Sequence, residues 1–85
     1  LLQNYPNPFN PSTVISYDLP AQAAVTLSVY DLLGREVATL VNGVEGAGRH
    51  SISFSADSRR IASGLYFYRL RAGTFTAQRT MLILK

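Results

Sequence analysis

Thr13, Ile15, Tyr17 and Leu19 alternate with Val14, Ser16 and Asp18 up to Pro20. A period of two predicts a strand with one face on a core. A second strand is predicted over residues 25–30, with Val25, Leu27 and Val29 on one face and Thr26, Ser28 and Tyr30 on the other. The stretch Asp31-Leu32-Leu33-Gly34 reads as a turn, since Gly34 tolerates positive φ and Asp31 can hydrogen-bond the backbone just ahead of it. It leads to a third strand over 36–41. Residues 42–48 hold three of the six glycines and read as a loop. Beyond it His50, Ile52 and Phe54 alternate with Ser51, Ser53 and Ser55, giving a strand with one dry and one wet face. Residues 56–64 read as a polar connection with one helical turn at 58–62. Residues 65–71 and 74–84, joined at Ala72-Gly73, read as a closing hairpin.

Ahead of the first strand, Pro6, Pro8 and Pro11 interleave with Asn4, Asn7 and Asn10 around Tyr5 and Phe9. Prolines so spaced forbid a helix and favour an extended arm with Asx-type turns. No segment sustains a 3.6-residue period with caps. The fold class expected is therefore all-β: an antiparallel, immunoglobulin-like β-sandwich of about seven strands. The expected organisation is one domain over residues 1–85, with 1–12 as a Pro/Asn-rich arm and 13–85 as the sandwich.

Size narrows the chemistry. A chain of 85 residues buries only about 60 to 65% of the surface its unfolded form exposes, enough for one thin core and hardly for a deep active-site cavity. The absence of cysteine excludes disulfide staples, thiolate nucleophiles and Cys-rich zinc sites. Apolar runs stop at four residues, as in Met81-Leu82-Ile83-Leu84, where a membrane-spanning helix needs about 20. The opening Leu1-Leu2-Gln3-Asn4 has neither a basic nor an apolar leader, so the chain is expected to continue from a longer one.

Charge is unevenly placed. Residues 1–57 carry all five acids against Arg35 and Arg49, a net of −3, and residues 58–85 carry six cations and no acid. A basic C-terminal third suits an anionic partner, and equally a solvated surface. Seven of the eight cations are arginine, whose planar fork matches carboxylate and phosphate.

The residues outline no catalytic, cofactor-binding or metal-ligating set. His50 occupies the inward register with Ile52 and Phe54, and no strained Gly-x-Ser-x-Gly turn accompanies it. Gly46-Ala47-Gly48 lacks the third glycine and the helix of a phosphate loop. In the segment 65–71 the aromatics lie beside arginines, but the pleat puts Tyr66, Tyr68 and Leu70 on one face and Leu65, Phe67, Arg69 and Arg71 on the other. Two of the rings then serve a core, which argues against nucleic acid as a partner. The asparagines of the arm offer a cation amide oxygens without a carboxylate.

The opening Asn4-Tyr5-Pro6-Asn7-Pro8-Phe9-Asn10-Pro11-Ser12-Thr13, the middle Val29-Tyr30-Asp31-Leu32-Leu33-Gly34-Arg35, the Ser63-Gly64-Leu65-Tyr66 element and the close Met81-Leu82-Ile83-Leu84-Lys85 together resemble the C-terminal sorting domain of the bacterial type IX secretion system. The Tyr-Asp and Gly-x-x-Tyr elements are also similar to an immunoglobulin-like domain of the flagellar hook-capping protein. The sorting-family resemblance covers nearly the whole chain. It implies a noncatalytic β-sandwich signal, attached to an upstream cargo, that an outer-membrane translocon reads and a surface sortase processes. The cargo would pass through the periplasm to the cell surface or the medium, in many members joined to anionic lipopolysaccharide. Where family members commonly carry a basic residue just before the last-strand Met, this chain has Thr80, with Arg79 one place earlier. Under this resemblance Pro6, Asn7, Pro8, Phe9, Asn10, Pro11, Gly64 and Tyr66 are structural. Arg69, Arg71, Arg79, Met81, Leu82, Ile83, Leu84 and Lys85 are expected to serve translocon recognition. The alternative is an accessory module of a secreted hydrolase, either carbohydrate-binding or a spacer. Such a module would usually set exposed aromatics in a row, whereas Tyr5, Phe9, Tyr17 and Tyr30 are spread over several elements.

Overall fold

The computed structural model describes residues 1–8 and 12–84. These form six antiparallel strands and no helix: β1 (Ser12–Leu19), β2 (Ala23–Asp31), β3 (Glu36–Glu45), β4 (Gly48–Ser55), β5 (Gly64–Ala72) and β6 (Phe75–Ile83). β1 and β4 pair in one sheet, and the second sheet has the order β3-β2-β5-β6. Two sheets face each other, as expected from the alternation. Thr13, Ile15, Tyr17 and Leu19 of β1 and Phe54 of β4 pack against Val25, Leu27 and Val29 of β2, Tyr66, Tyr68 and Leu70 of β5, and Met81 and Ile83 of β6, all buried. The faces of β5 are those the pleat predicts. The closing hairpin turns on Gly73, whose φ of 60° supplies the left-handed first position of a tight two-residue turn.

Two expectations need correction. The glycine-bearing stretch 42–48 is not a loop throughout. β3 continues through Asn42, Gly43, Val44 and Glu45, because β2 is long enough to offer ladder partners in the pairs Thr26↔Asn42, Val25↔Gly43, Ala24↔Val44 and Ala23↔Glu45. A glycine is tolerable there because β3 is an edge strand with an exposed outer half. Register shifts leave Leu40 and Val37 as extra residues on β3, which breaks the alternation that would have betrayed the strand's full length.

The connection 56–64 contains no helical turn, and it is not polar throughout. Its hydrogen bonds, Arg60 N–H to Asp57 O at 3.1 Å and Ile61 N–H to Ala56 O at 2.9 Å, close on Arg60 at φ 54°. That left-handed residue ends the turn before a helix can propagate. Ala56 and Ile61 are buried, and they add to the core as the chain crosses from the small sheet to the large one. Downstream, Gly64 takes φ 148° and the Tyr66 hydroxyl donates to Ala62 O at 2.9 Å. A tyrosine hydroxyl tied to the backbone just upstream is the corner found in immunoglobulin-like sandwiches.

Candidate functional site

The N-terminal arm and the last strand meet. Leu2 N–H donates to Ser16 O at 2.9 Å, and Tyr5 and Val14 exchange both backbone bonds at 3.0 Å, so the arm runs along the free edge of β1. From there its side chains cross to the large sheet. Gln3 Nε2 donates to Thr80 O at 2.7 Å, and Leu82 N–H donates to Asn7 Oδ1 at 2.9 Å. The buried hydroxyl of Tyr68 completes the strap, accepting from Asn4 N–H and donating to Leu2 O, both at 2.7 Å. Burial pushes that hydroxyl's pKa up, against the Asn4 amide and the charge of Arg79.

Asn4, 2% exposed, shows why this arm is written in asparagine and proline. Its Nδ2 donates to Pro6 O and to Thr13 Oγ1, both at 3.0 Å, its Oδ1 accepts from Gln3 Nε2 at 2.8 Å, and Thr13 Oγ1 donates to Pro6 O at 2.8 Å. A proline between the asparagines brings a carbonyl acceptor and no N–H in need of a partner. The Tyr5-Pro6 and Asn7-Pro8 peptides are cis. Phe9, Asn10 and Pro11 lie outside the described residues.

The residues expected to serve recognition divide by face. On β5, Arg69 and Arg71 point outward, opposite Gln78 and Thr76 of β6. Arg69 lies 5.0 Å from the centroid of Tyr30 and 5.7 Å from that of Phe67, two rings stacked at 5.2 Å, and it donates to Gln78 Oε1 at 3.3 Å. Arg79 pairs with inward-facing Tyr68 and so lies on the opposite side of the sheet from the other two arginines. Met81 and Ile83 are in the core, while Leu82 is half-buried and Leu84 exposed. A partner touching the folded protein therefore meets the backbone edge of β6, Leu82 and Leu84, but not the Met81 or Ile83 side chains. Lys85 lies outside the described residues.

Reading the sequence missed Gln3, Asn4, Thr13 and Tyr68 as participants. One signal was available: Thr13 is the polar member of an inward-facing row with Ile15, Tyr17 and Leu19, and a buried hydroxyl requires a partner.

The acids of the first half meet neighbours there. Arg35 Nε donates to Asp31 Oδ2 at 2.8 Å, and Arg49 pairs with Asp18. These contacts hold both carboxyls below the ordinary aspartate range, the Arg35 backbone amide leading for Asp31 and the Arg49 side chain for Asp18. His50 stacks on Tyr17 at 5.4 Å and donates through Nε2 to Gly46 O at 2.8 Å, which sets it as a structural residue at the β3–β4 corner. Among the described residues no group of three or more His, Cys, Asp or Glu could hold a metal ion, and no helix is long and apolar enough to cross a membrane.

Comparison with curated proteins returns no match. The sequence does match a family model, described as the secretion system C-terminal sorting domain, over residues 3–84. That span takes in both the arm and the last strand that it straps. The chain thus belongs to the secretion system C-terminal sorting domain family, the sorting signals of type IX secretion.

Proposed function

We propose that residues 1–85 act as one noncatalytic export signal, with the cargo joined ahead of Leu1, and that the outer-membrane translocon reads it through β6 and the basic surface beside it. The observation that carries this reading is the position of β6: it is the last strand of the chain and an edge of the large sheet. The outer side of an edge strand is free of any neighbouring strand, so its backbone groups can be offered to a partner once the side chains bonded to them let go. The arginines of the C-terminal third add an anionic preference, with Arg69 and Arg71 on the outer face and Arg79 on the other. Exported cargo then reaches the cell surface or the medium, where a surface sortase and anionic lipopolysaccharide are the fitting partners.

The test is a reporter carrying an inner-membrane signal peptide, fused ahead of residue 1 and expressed in a bacterium with this secretion system. The intact chain is expected to send it outside the cell. Removing residues 84–85 spares buried Met81 and Ile83 and is expected to leave the reporter in the periplasm. The double reversal Arg69→Glu and Arg71→Glu is expected to weaken export while leaving the β-sheet circular dichroism intact. Export at the unmodified rate in both variants would defeat the reading.

The exposed aromatics do not favour an accessory carbohydrate-binding role. Tyr5 stands on the arm and Phe75 on the β5–β6 turn, while Tyr17 is buried and Tyr30 is stacked under Arg69.

A further inference from the structure

The outer edge of β6 is covered by side chains where a strand would be expected. Leu82 N–H and Thr80 O both point away from β5, since each is bonded by the arm. In an antiparallel pair the backbone groups of alternate residues turn to opposite sides, so the even-numbered residues of β6, Thr76, Gln78, Thr80 and Leu82, form its outward row. Gln3 supplies an amide N–H to Thr80 O, and Asn7 supplies a carbonyl oxygen to Leu82 N–H. These are the donor and acceptor that the peptide groups of an adjacent strand would present.

We propose that the β6 edge at Thr80–Leu82 is a strand-addition site for an extended segment of a partner protein, and that Gln3 and Asn7 hold its place until that segment arrives. The exchange is nearly balanced, because each side-chain hydrogen bond given up is replaced by a backbone one. Releasing the two side chains need not detach the arm, which keeps its own backbone bonds to Ser16 and Val14 and its Tyr68 contacts. Exposed Arg79 directly precedes Thr80, and its ladder partner on β5 is Tyr68, not an acid. A segment carrying a carboxylate is the complement. The inference rests on β6 being what the translocon reads, and it goes further by naming the mode of contact and its gate.

Hydrogen exchange on the 85-residue chain tests the gate. Asn7→Leu is expected to speed exchange of the Leu82 amide about five- to tenfold, the loss of one hydrogen bond's protection, with the Met81 and Ile83 amides unchanged. Asn7→Asp retains an acceptor oxygen and should restore the slow rate. An unaltered Leu82 rate in Asn7→Leu would overturn the gate.

Export of the reporter fusion tests the site. Thr80→Pro removes an outward N–H without touching the ladder to β5, and is expected to slow export at least tenfold with the fold intact. Gln78→Pro does the same one step along the edge, should Thr80→Pro fail to fold. If the proline variants export normally while removal of residues 84–85 blocks export, strand addition is wrong and the sorting reading stands. If both proline variants and the truncation export normally, the reading beneath it fails as well. If Gln3→Ala with Asn7→Leu forms a dimer that Thr80→Pro disperses, the edge belongs to a second copy of this chain and the partner assignment is overturned.

Discussion

Tyr68 joins the large sheet to the arm through one oxygen. Replacing it by Phe would leave the buried Asn4 N–H and the Leu2 carbonyl without their partner, at a cost of about 1 to 3 kcal/mol. A lower urea midpoint with unchanged slope is the expected result. Tyr17 is sensitive to base. Burial first, and its hydrogen bond to Glu45 second, raise its pKa well above the ordinary value of 10.0. The unfolded chain ionises there and the folded one resists, so the stability present below pH 10 is lost as pH rises beyond it. Tyr17→Phe should flatten that alkaline limb in chemical denaturation at pH 9 to 11. Alternation alone exposed the inward register of Tyr17, Tyr66 and Tyr68, because burial on a strand has a period. The partners of their hydroxyls were not legible, since the groups that satisfy Tyr68 lie 64 and 66 residues away in sequence.

Elements were legible to the degree that each kept its period to itself. β1 and β4 alternate and the β5–β6 hairpin is marked by its Ala72-Gly73 turn, and their outlines follow the sequence closely. β3 was not readable beyond Val41, because the bulges at Leu40 and Val37 and the glycine at 43 disguise a strand that β2 dictates by pairing. The crossing between β4 and β5 was misread for a related reason: a few scattered apolar residues among polar ones show no period, yet Ala56 and Ile61 are both anchored in the core. Ile61→Ala should therefore cost about 2 to 5 kcal/mol. Ser58→Ala, on the exposed side of the same crossing, should stay within about 0.5 kcal/mol. Thermal melts of the two variants provide the comparison, and equal midpoints would show that the crossing does not anchor the core. As to the candidate site, its two halves were legible separately, as a Pro/Asn-rich opening and an apolar close. Their meeting was not, since it is made by Gln3 and Asn7 reaching backbone atoms that no side-chain pattern reports.

At the scale of the molecule, the asymmetric charge becomes a division of labour. Asp18 and Asp31 are engaged with Arg49 and Arg35 in the first half, leaving the arginines of β5 and β6 as the basic surface of the large sheet. The pairing of β1 with β4 also has a temporal consequence. Residues 12–19 and 48–55 must find each other across the intervening β2 and β3, whereas β2–β3 and β5–β6 are each adjacent in sequence and close short loops. The two hairpins are thus expected to order first, and the long-range pairings of β1 with β4 and of β2 with β5 to close last. Ile15→Val should then mainly speed unfolding, with a φ-value near 0, while Leu70→Ala should slow folding with a φ-value well above it, as read from the two arms of a chevron. Until that closure, Val25 and Leu27 on one hairpin and Tyr68 and Leu70 on the other stand uncovered. The interval between hairpin formation and capture by β1 and β4 is when this chain is most open to aggregation or to a chaperone.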